Sequence, residues 1–468
     1  MVMNRRQFIG ATAAGALAMA AAREGSGGEA TPAGPSVPST KIRVRKIYLA
    51  KPVPSWPTPK LNVQEEIKRL EGEIAKLRRE MPDIEFVGGD LFRRPEDLGN
   101  LKERIGDADA VLVFNLTSGV GHLLLPIAKV GAPTILFAQP YSGHDWSVVA
   151  GMQKDGLKIE CLATSDFHEI VDAMRPIRAI HRMRESRLVY LNTNPASKTW
   201  AEKIRAAWGT DTVSTDPKRL NAVYATVSEK AARAITDRWK HEARKIVEPT
   251  DEDILKSAKF YLAMRQILAE EHAQAITINC LGLFGAKQLP AYPCLGFCQL
   301  NNDLFVGACE GDLDSTLTML LFRYLANKPG FISDPVIDTS KNIVIHAHCV
   351  SATKMAGPEG KAASYIIRSH LEDDKGAVLQ VRMRVGQTIT MAKLVGGETM
   401  LISTGKITDT PAVERGCRTK ITTQVADARK ILEGYAHGLH RVIFYDDHVR
   451  DIKRLSRFLP ALKVVEEG

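Results

Sequence analysis

Glu310, Asp334 and His348 each close a short apolar run within the segment Leu304 to Cys349, LFVGACEGDLDSTLTMLLFRYLANKPGFISDPVIDTSKNIVIHAHC. If the three runs are parallel neighbouring strands, their carboxyl ends share the sheet edge where α/β folds place ligands. Two carboxylates and an imidazole form a hard O and N donor set, which suits Mn²⁺ or Mg²⁺ better than a thiol-rich zinc site does. The chemistry predicted is metal-assisted and acts on an oxygen-rich substrate.

Plainer roles compete at each position. Glu310 lies too early to cap the helix expected from Ser315 to Ala326, and a carboxylate buried at a strand end needs a cation or a proton. Asp312 and Asp314 stand where a helix N-terminus favours carboxylates by about 0.3–1 kcal/mol; capping is assigned to Asp314, and Asp312 is taken as a substrate contact. Asp334 precedes Pro335, a frequent start of a turn, and Asp338 competes for its role. His346 and His348 share one strand face by the period of 2, and Cys349 at the strand end makes His348 the one nearer the crevice. Further on, His437 and His440 sit in a loop before the apolar run Arg441 to Tyr445. Such a loop either brings one imidazole to the crevice, His440 being the choice with His437 as the alternative, or leaves both histidines in solvent. In the first part of the chain His144-Asp145-Trp146 follows an apolar strand and a glycine, and reads either as a sugar contact, through Trp146, or as a plain loop.

The elements that must position these residues change character along the chain. Apolar strands at Ile42 to Ala50, Ile84 to Val87, Ala110 to Phe114 and Thr134 to Ala138 alternate with helical periodicity, which predicts a mostly parallel sheet. A second such unit starts at Arg187 to Leu191 and runs through a long helix near Asp251 to Glu271 and a strand at Ala275 to Cys280. After about Ser369 the pattern becomes alternating strands with breaks at Gly386 and Gly396-Gly397, as in a small β domain or barrel. The expected fold is therefore α/β: two Rossmann-like doubly wound domains, residues 42–180 and 181–368, followed by a C-terminal β-rich domain, residues 369–468.

Composition bounds the partners. With 468 residues, 44% hydrophobic and 25% charged, the chain is long enough for two or three domains of ordinary globular character. The net charge of +9 is spread among acidic residues with no basic block, which argues against nucleic-acid binding. Residues 1–22 place Arg5-Arg6 before a small-residue apolar stretch that ends in Ala18-Met19-Ala20, a pattern resembling a twin-arginine export signal and too short to span a bilayer. Residues 23–41 read as a Gly-, Pro- and Ser-rich tether. A periplasmic or secreted protein, exported folded and with no membrane span once the signal is removed, is expected. Seven cysteines, odd in number and mostly within apolar runs, predict buried free thiols rather than disulfides; Cys294 and Cys298 lack the second pair that a zinc site needs.

Taken together, Glu310-Gly311-Asp312-Leu313-Asp314 with Leu317-Thr318-Met319, then Asp334, His348-Cys349, Gly438-Leu439-His440 and Phe444-Tyr445-Asp446-Asp447-His448 resemble the L-fucose isomerase family, related to the arabinose isomerases. The similarity runs from about residue 42 onward and is strongest at 293–358 and 405–448. It implies a divalent ion, Mn²⁺ or else Mg²⁺ or Co²⁺, held by Glu310, Asp334 and His440. The same two carboxylates would pass a proton between C1 and C2 of an aldose through an ene-diol, with His348 lining the sugar pocket. A homo-oligomer, trimer or hexamer, is implied as well, with His122, His144 and Trp146 as donors to a neighbouring site. The rival reading is an exported carbohydrate-binding or sensory protein on the same scaffold, without turnover; metal-assisted hydrolysis is a third.

Overall fold

Runs such as Ala110–Asn115 and Thr134–Ala138 are buried on both faces, as strands covered by helices on either side must be. The computed structural model describes residues 40–191 and 194–468, so the expected export signal and all of the tether before Thr40 lie outside the described residues. Thr40 itself is already anchored, its hydroxyl 2.8 Å from Nε2 of His181.

Five parallel strands, β1 (Ile42–Leu49), β2 (Ile84–Phe92), β3 (Ala110–Asn115), β4 (Thr134–Ala138) and β5 (Ile159–Ala163), form the first sheet in the order β2-β1-β3-β4-β5. This is a doubly wound order. Helix α1 (Val63–Leu77) shows why such segments fold as they do: Asn62 accepts from the backbone N–H groups of Gln64 and Glu65 at its start, and Val63, Leu70, Ile74 and Leu77 face the core. Helix α2 (His168–Arg184) leads on to the second parallel sheet, β6 (Arg187–Leu191), β7 (Asp211–Ser214), β8 (Ala275–Ile278) and β9 (Val306–Ala308), ordered β7-β6-β8-β9. Helix α3 (Asp251–Glu270), opened by a Thr250/Asp253 capping box, and helix α4 (Cys294–Asn302) pack beside that sheet.

The β-rich part begins earlier than the change of sequence pattern suggests. After helix α5 (Leu313–Ala326) come β10 (Phe331–Asp338) and β11 (Ile343–His348), then the hairpin β12 (Tyr365–Arg368) and β13 (Val378–Val381). Strands β14 (Thr388–Val395), β15 (Thr399–Asp409), β16 (Thr419–Val425), β17 (Arg441–Tyr445) and β18 (Lys463–Glu466) join β10 and β11 in the order β14-β17-β10-β11-β16-β15-β18. The further pairing of β14 with β15 closes the sheet into a barrel. Helix α6 (Val449–Phe458) lies between the last two strands of the chain.

One expectation is corrected here. The runs ending at Glu310, Asp334 and His348 are not parallel neighbours: β9 belongs to the second parallel sheet, whereas β10 and β11 are an antiparallel pair of the barrel. Asp334 is also mid-strand, opposite Ala347, rather than at a strand end. Alternation and apolar runs do not encode which sheet a strand joins, because that depends on pairing partners remote in sequence.

Six of the seven cysteines are buried free thiols, and Cys161 is partly exposed. No helix among the described residues is long and apolar enough to cross a membrane.

Candidate metal centre

Where the carboxyl edge of the second parallel sheet meets the barrel, Glu310, Asp334, His348 and His440 bring one ligating atom each to within 4.8 Å of all the others. Four elements supply them. Glu310 follows β9 in the left-handed region (φ +62°), with Gly311 at +65° directly after it. A non-glycine residue there costs about 1–2 kcal/mol. The chain is held in this turn by the Gly311 N–H, which donates to the Ile278 carbonyl at 2.9 Å. Asp334 comes from β10, His348 from the last position of β11, and His440 from the residue before β17.

The contacts are mutual. His348 Nε2 lies 3.4 Å from Glu310 Oε1, while His440 Nε2 lies 3.4 Å from Glu310 Oε2 and 3.2 Å from Asp334 Oδ1. None has the angles of a hydrogen bond, so both Nε2 atoms are buried without a hydrogen-bond partner. The rings are enclosed, at 3% and 8% side-chain exposure, whereas Glu310 and Asp334 remain 32% and 30% exposed and open the site to a ligand.

The other ring nitrogens separate the two histidines. His440 Nδ1 is 2.8 Å from Asp312 Oδ2, which holds a hydrogen on Nδ1 and makes Nε2, facing the carboxylates, the nitrogen that gives up its proton when a cation binds. His348 Nδ1 instead accepts from the Val350 N–H at 3.4 Å, which places its hydrogen on Nε2. His440 is thereby prepared as a ligand and His348 as a donor beside Glu310. Two carboxylates and one imidazole lone pair fit a hard divalent ion, whose bonds of about 2.0–2.2 Å need donors that are close yet not bonded to one another.

Charge follows the same geometry. His348 and then His440 hold the Glu310 carboxyl well below the usual carboxylate range. Burial alone would lower the His440 imidazole, but Asp312, Asp334 and Glu310 push it up to about 11. Burial raises the Asp312 carboxyl, and this is outweighed by His440 and by Lys393, whose Nζ is 3.4 Å away.

Asp312, expected to touch substrate, stands behind His440. It also caps α5, its Oδ1 accepting from the Ser315 N–H at 2.9 Å. Capping therefore belongs to Asp312 and not to Asp314, because the helix begins at Leu313; Asp314 accepts from Trp200 Nε1 at 2.7 Å and from the Gly396 N–H at 2.9 Å. His346 points away from the centre: it is fully buried, its Nδ1 is 3.0 Å from Ser333 Oγ, and burial draws its pKa down to about 3. His437 is exposed on its loop, and Asp338 accepts from Ser340 in a turn. Trp146 lies in a short 3-10 helix (Asp145–Val148) after β4, 48% exposed, and is not among the four clustered residues; the His144 ring is tilted against Trp56 with centroids 5.4 Å apart. Lys393 was missed. Its signal is a lysine inside the strand TITMAKLV, where six consecutive residues are buried.

A doubly wound α/β scaffold joined to a barrel, with an O and N donor cluster at the junction, defines the class of site. No family model matches the chain. It is 25% identical over 217 residues to a sulfoquinovose isomerase of Priestia aryabhattai, covering 45% of this chain and 48% of that protein. It is likewise 25% identical over 228 residues to a sulfoquinovose isomerase of Alkalicoccus urumqiensis, covering 46% and 49%, and 25% identical over 175 residues to one from Clostridium sp. (strain MSTE9), covering 36% and 38%. The chain thus matches about half the length, or less, of these curated sugar isomerases.

Proposed function

We propose that this chain is a divalent-metal-dependent aldose–ketose isomerase. The observation that carries the proposal is the His440 Nε2 atom set between the Glu310 and Asp334 carboxylates, buried and without a hydrogen-bond partner. Glu310, Asp334 and His440 would hold the ion, with Mn²⁺ the first choice and Mg²⁺ or Co²⁺ the alternatives. Such an ion supplies Lewis acidity that polarises the sugar carbonyl and makes the neighbouring C–H more acidic.

The chain's own groups move the proton. One carboxylate of the Glu310/Asp334 pair removes the hydrogen from C2 of the open-chain aldose, and the C–H electron pair forms the C1–C2 double bond of an ene-diol as O1 gains a proton. The O2 hydroxyl then gives up its proton, the double bond shifts to C2–O2, and C1 receives the proton that C2 lost. The product is a ketose, with no atom gained or lost. The Nε2–H of His348, beside Glu310, orients that carboxylate and borders the sugar.

The relatives' name moves the substrate from L-fucose, which the family resemblance implies, towards sulfoquinovose. Export in folded form and assembly as a trimer or hexamer belong to the same proposal.

The test is metal content together with ketose formation, on protein stripped and reloaded with Mn²⁺, as wild type and as Glu310→Gln, against a panel of aldoses. Stoichiometric metal and turnover in the wild type are expected. In the variant both should fall, turnover by roughly 10²–10⁴-fold. A metal-loaded wild type that binds sugar without converting it would sink the isomerase reading and favour the binding-protein one.

A further inference from the structure

Across three adjacent barrel strands Asp334 pairs with Ala347, and Ala347 pairs with Lys420. Residues directly opposite one another in an antiparallel sheet project to the same face, so Lys420 shares the face of the Asp334 ligand at two strand spacings, roughly 10 Å. The residue between them is an alanine, and its methyl group leaves a low floor. An open-chain hexose held at O1 and O2 reaches about this far with a substituent on its C6.

Lys420 is only 8% exposed, yet no carboxylate among the described residues pairs with it. Its ammonium makes one hydrogen bond, to the Val413 carbonyl at 2.9 Å, and two of its three donors are left over. A buried cation with spare donors lacks a partner. Burial accordingly draws its pKa below that of an ordinary lysine. Lys420 also lines a cleft with Arg244, Arg382, Arg418, Ser364 and Gln380, and no carboxylate lines that cleft. Arg418 is engaged by Glu414 at 2.6 Å, but the guanidinium groups of Arg244 and Arg382 have no partner among the described residues.

We infer that Lys420 is the specificity-determining residue of this site: its ammonium receives an anionic group, sulfonate, phosphate or carboxylate, at the far end of the aldose, while Glu310 and Asp334 act on C1 and C2. Arg382 and Arg244 draw that anion in from the cleft. The inference rests on the isomerase reading above and adds to it the residue that reads the far end of the substrate.

The experiment measures kcat/KM of the Mn²⁺-loaded protein for sulfoquinovose, glucose 6-phosphate, glucuronate and glucose, which share the reacting end and differ at C6. Wild type should prefer at least one anionic aldose over glucose by about 100-fold, and the ranking of the three identifies the anion. Lys420→Met should collapse that ratio towards one, and Lys420→Arg should restore most of it. Inorganic sulfate should compete with the anionic aldose on the wild type, an outcome that requires no variant to fold. Turnover without anionic preference, or a ratio unmoved in Lys420→Met, overturns the inference and leaves the isomerase standing. If no aldose is converted, calorimetric binding of sulfoquinovose that is lost in Lys420→Met supports the anion site while the isomerase reading fails; binding that is absent, or indifferent to Lys420, overturns both.

Discussion

Asp312 contacts His440 Nδ1, and that contact decides which nitrogen faces the centre. Replacing it by Asn keeps the size and the helix cap but removes the charge that fixes the imidazole. Outer contacts of this kind are worth about 10–100-fold in metal affinity, and that is the loss expected for Asp312→Asn in a competitive chelator titration. Unchanged affinity would show that His440 is held by its loop alone. The raised pKa of His440 carries a second prediction. In the metal-free protein the imidazolium is favoured by its carboxylates, with a folded value of about 11 against an ordinary 6.5. Its contribution to stability is thus complete below about pH 6.5 and is lost as the pH rises through about 11. Metal needs the neutral ring, so loading expels a proton, and affinity should climb roughly tenfold per pH unit between about pH 7 and 10. Titrations at three pH values, repeated in buffers of different ionisation heat, measure both the slope and the proton released. A flat profile would remove His440 from the ligand set. Glu310, Asp334 and His440 were legible in the sequence as residue types at the borders of apolar runs. Which of Asp312 and Asp314 caps α5 was not, because two acids two residues apart differ only by where the first helical turn begins.

Among the elements, β9 bears most directly on the centre, since it is three residues long and delivers Glu310. Asn301 on α4 straps it in place, donating from Nδ2 to the Gly307 carbonyl at 2.9 Å and accepting from the Gly307 N–H at 3.0 Å. A Cβ on Gly307 would lie 2.9 Å from Phe297 Cα and 2.8 Å from its ring, so helix and strand are already at closest approach. Gly307→Ala should destabilise the protein by about 1–3 kcal/mol and push β9 away from α4. Lower metal affinity, without any change of ligand, is the accompanying expectation. Thermal melting and a metal titration on the same variant check both, and wild-type values in each would show that the contact is slack. Elements of this kind were mostly readable. The helix at Asp251–Glu270 carries its capping box in the sequence, and β6 falls on the apolar run from Arg187 to Leu191. Strand partners were not readable: β10 and β11 look like any buried strands, and only pairing with β16 and β17 places them in the barrel.

Over the whole molecule, the chain returns at its end to the sheet with which it begins. Helix α6, after the last ligand, puts Arg454 and Arg457 on Glu160 of β5, with Arg454 Nε 3.2 Å from Glu160 Oε1, and Arg450 on Glu169 of α2 at 2.7 Å. Arg454 and Glu160 have side-chain exposures of 1% and 6%, so this is a buried pair at the seam between the barrel's last helix and the first sheet. Nothing in the sequence marks that contact, because two charged residues nearly 300 positions apart carry no local signature of burial. Its energetics are asymmetric. Glu160→Gln leaves the buried Arg454 guanidinium with only Glu169, whose Oε2 is 3.6 Å from its Nη2, and should cost about 2–3 kcal/mol, whereas replacing both Arg454 and Glu160 by apolar residues of similar size should cost much less or nothing. Urea unfolding of Glu160→Gln, Arg454→Met and the double variant Glu160→Leu/Arg454→Met forms the cycle that measures this. The double variant should recover most of the loss of either single one, and metal binding in the folded protein should persist throughout, since no ligand is touched. Strictly additive losses would mean that α6 is held by its apolar face, Ile452, Leu455 and Phe458, and that the ion pair is incidental to how the end of the chain closes on its beginning.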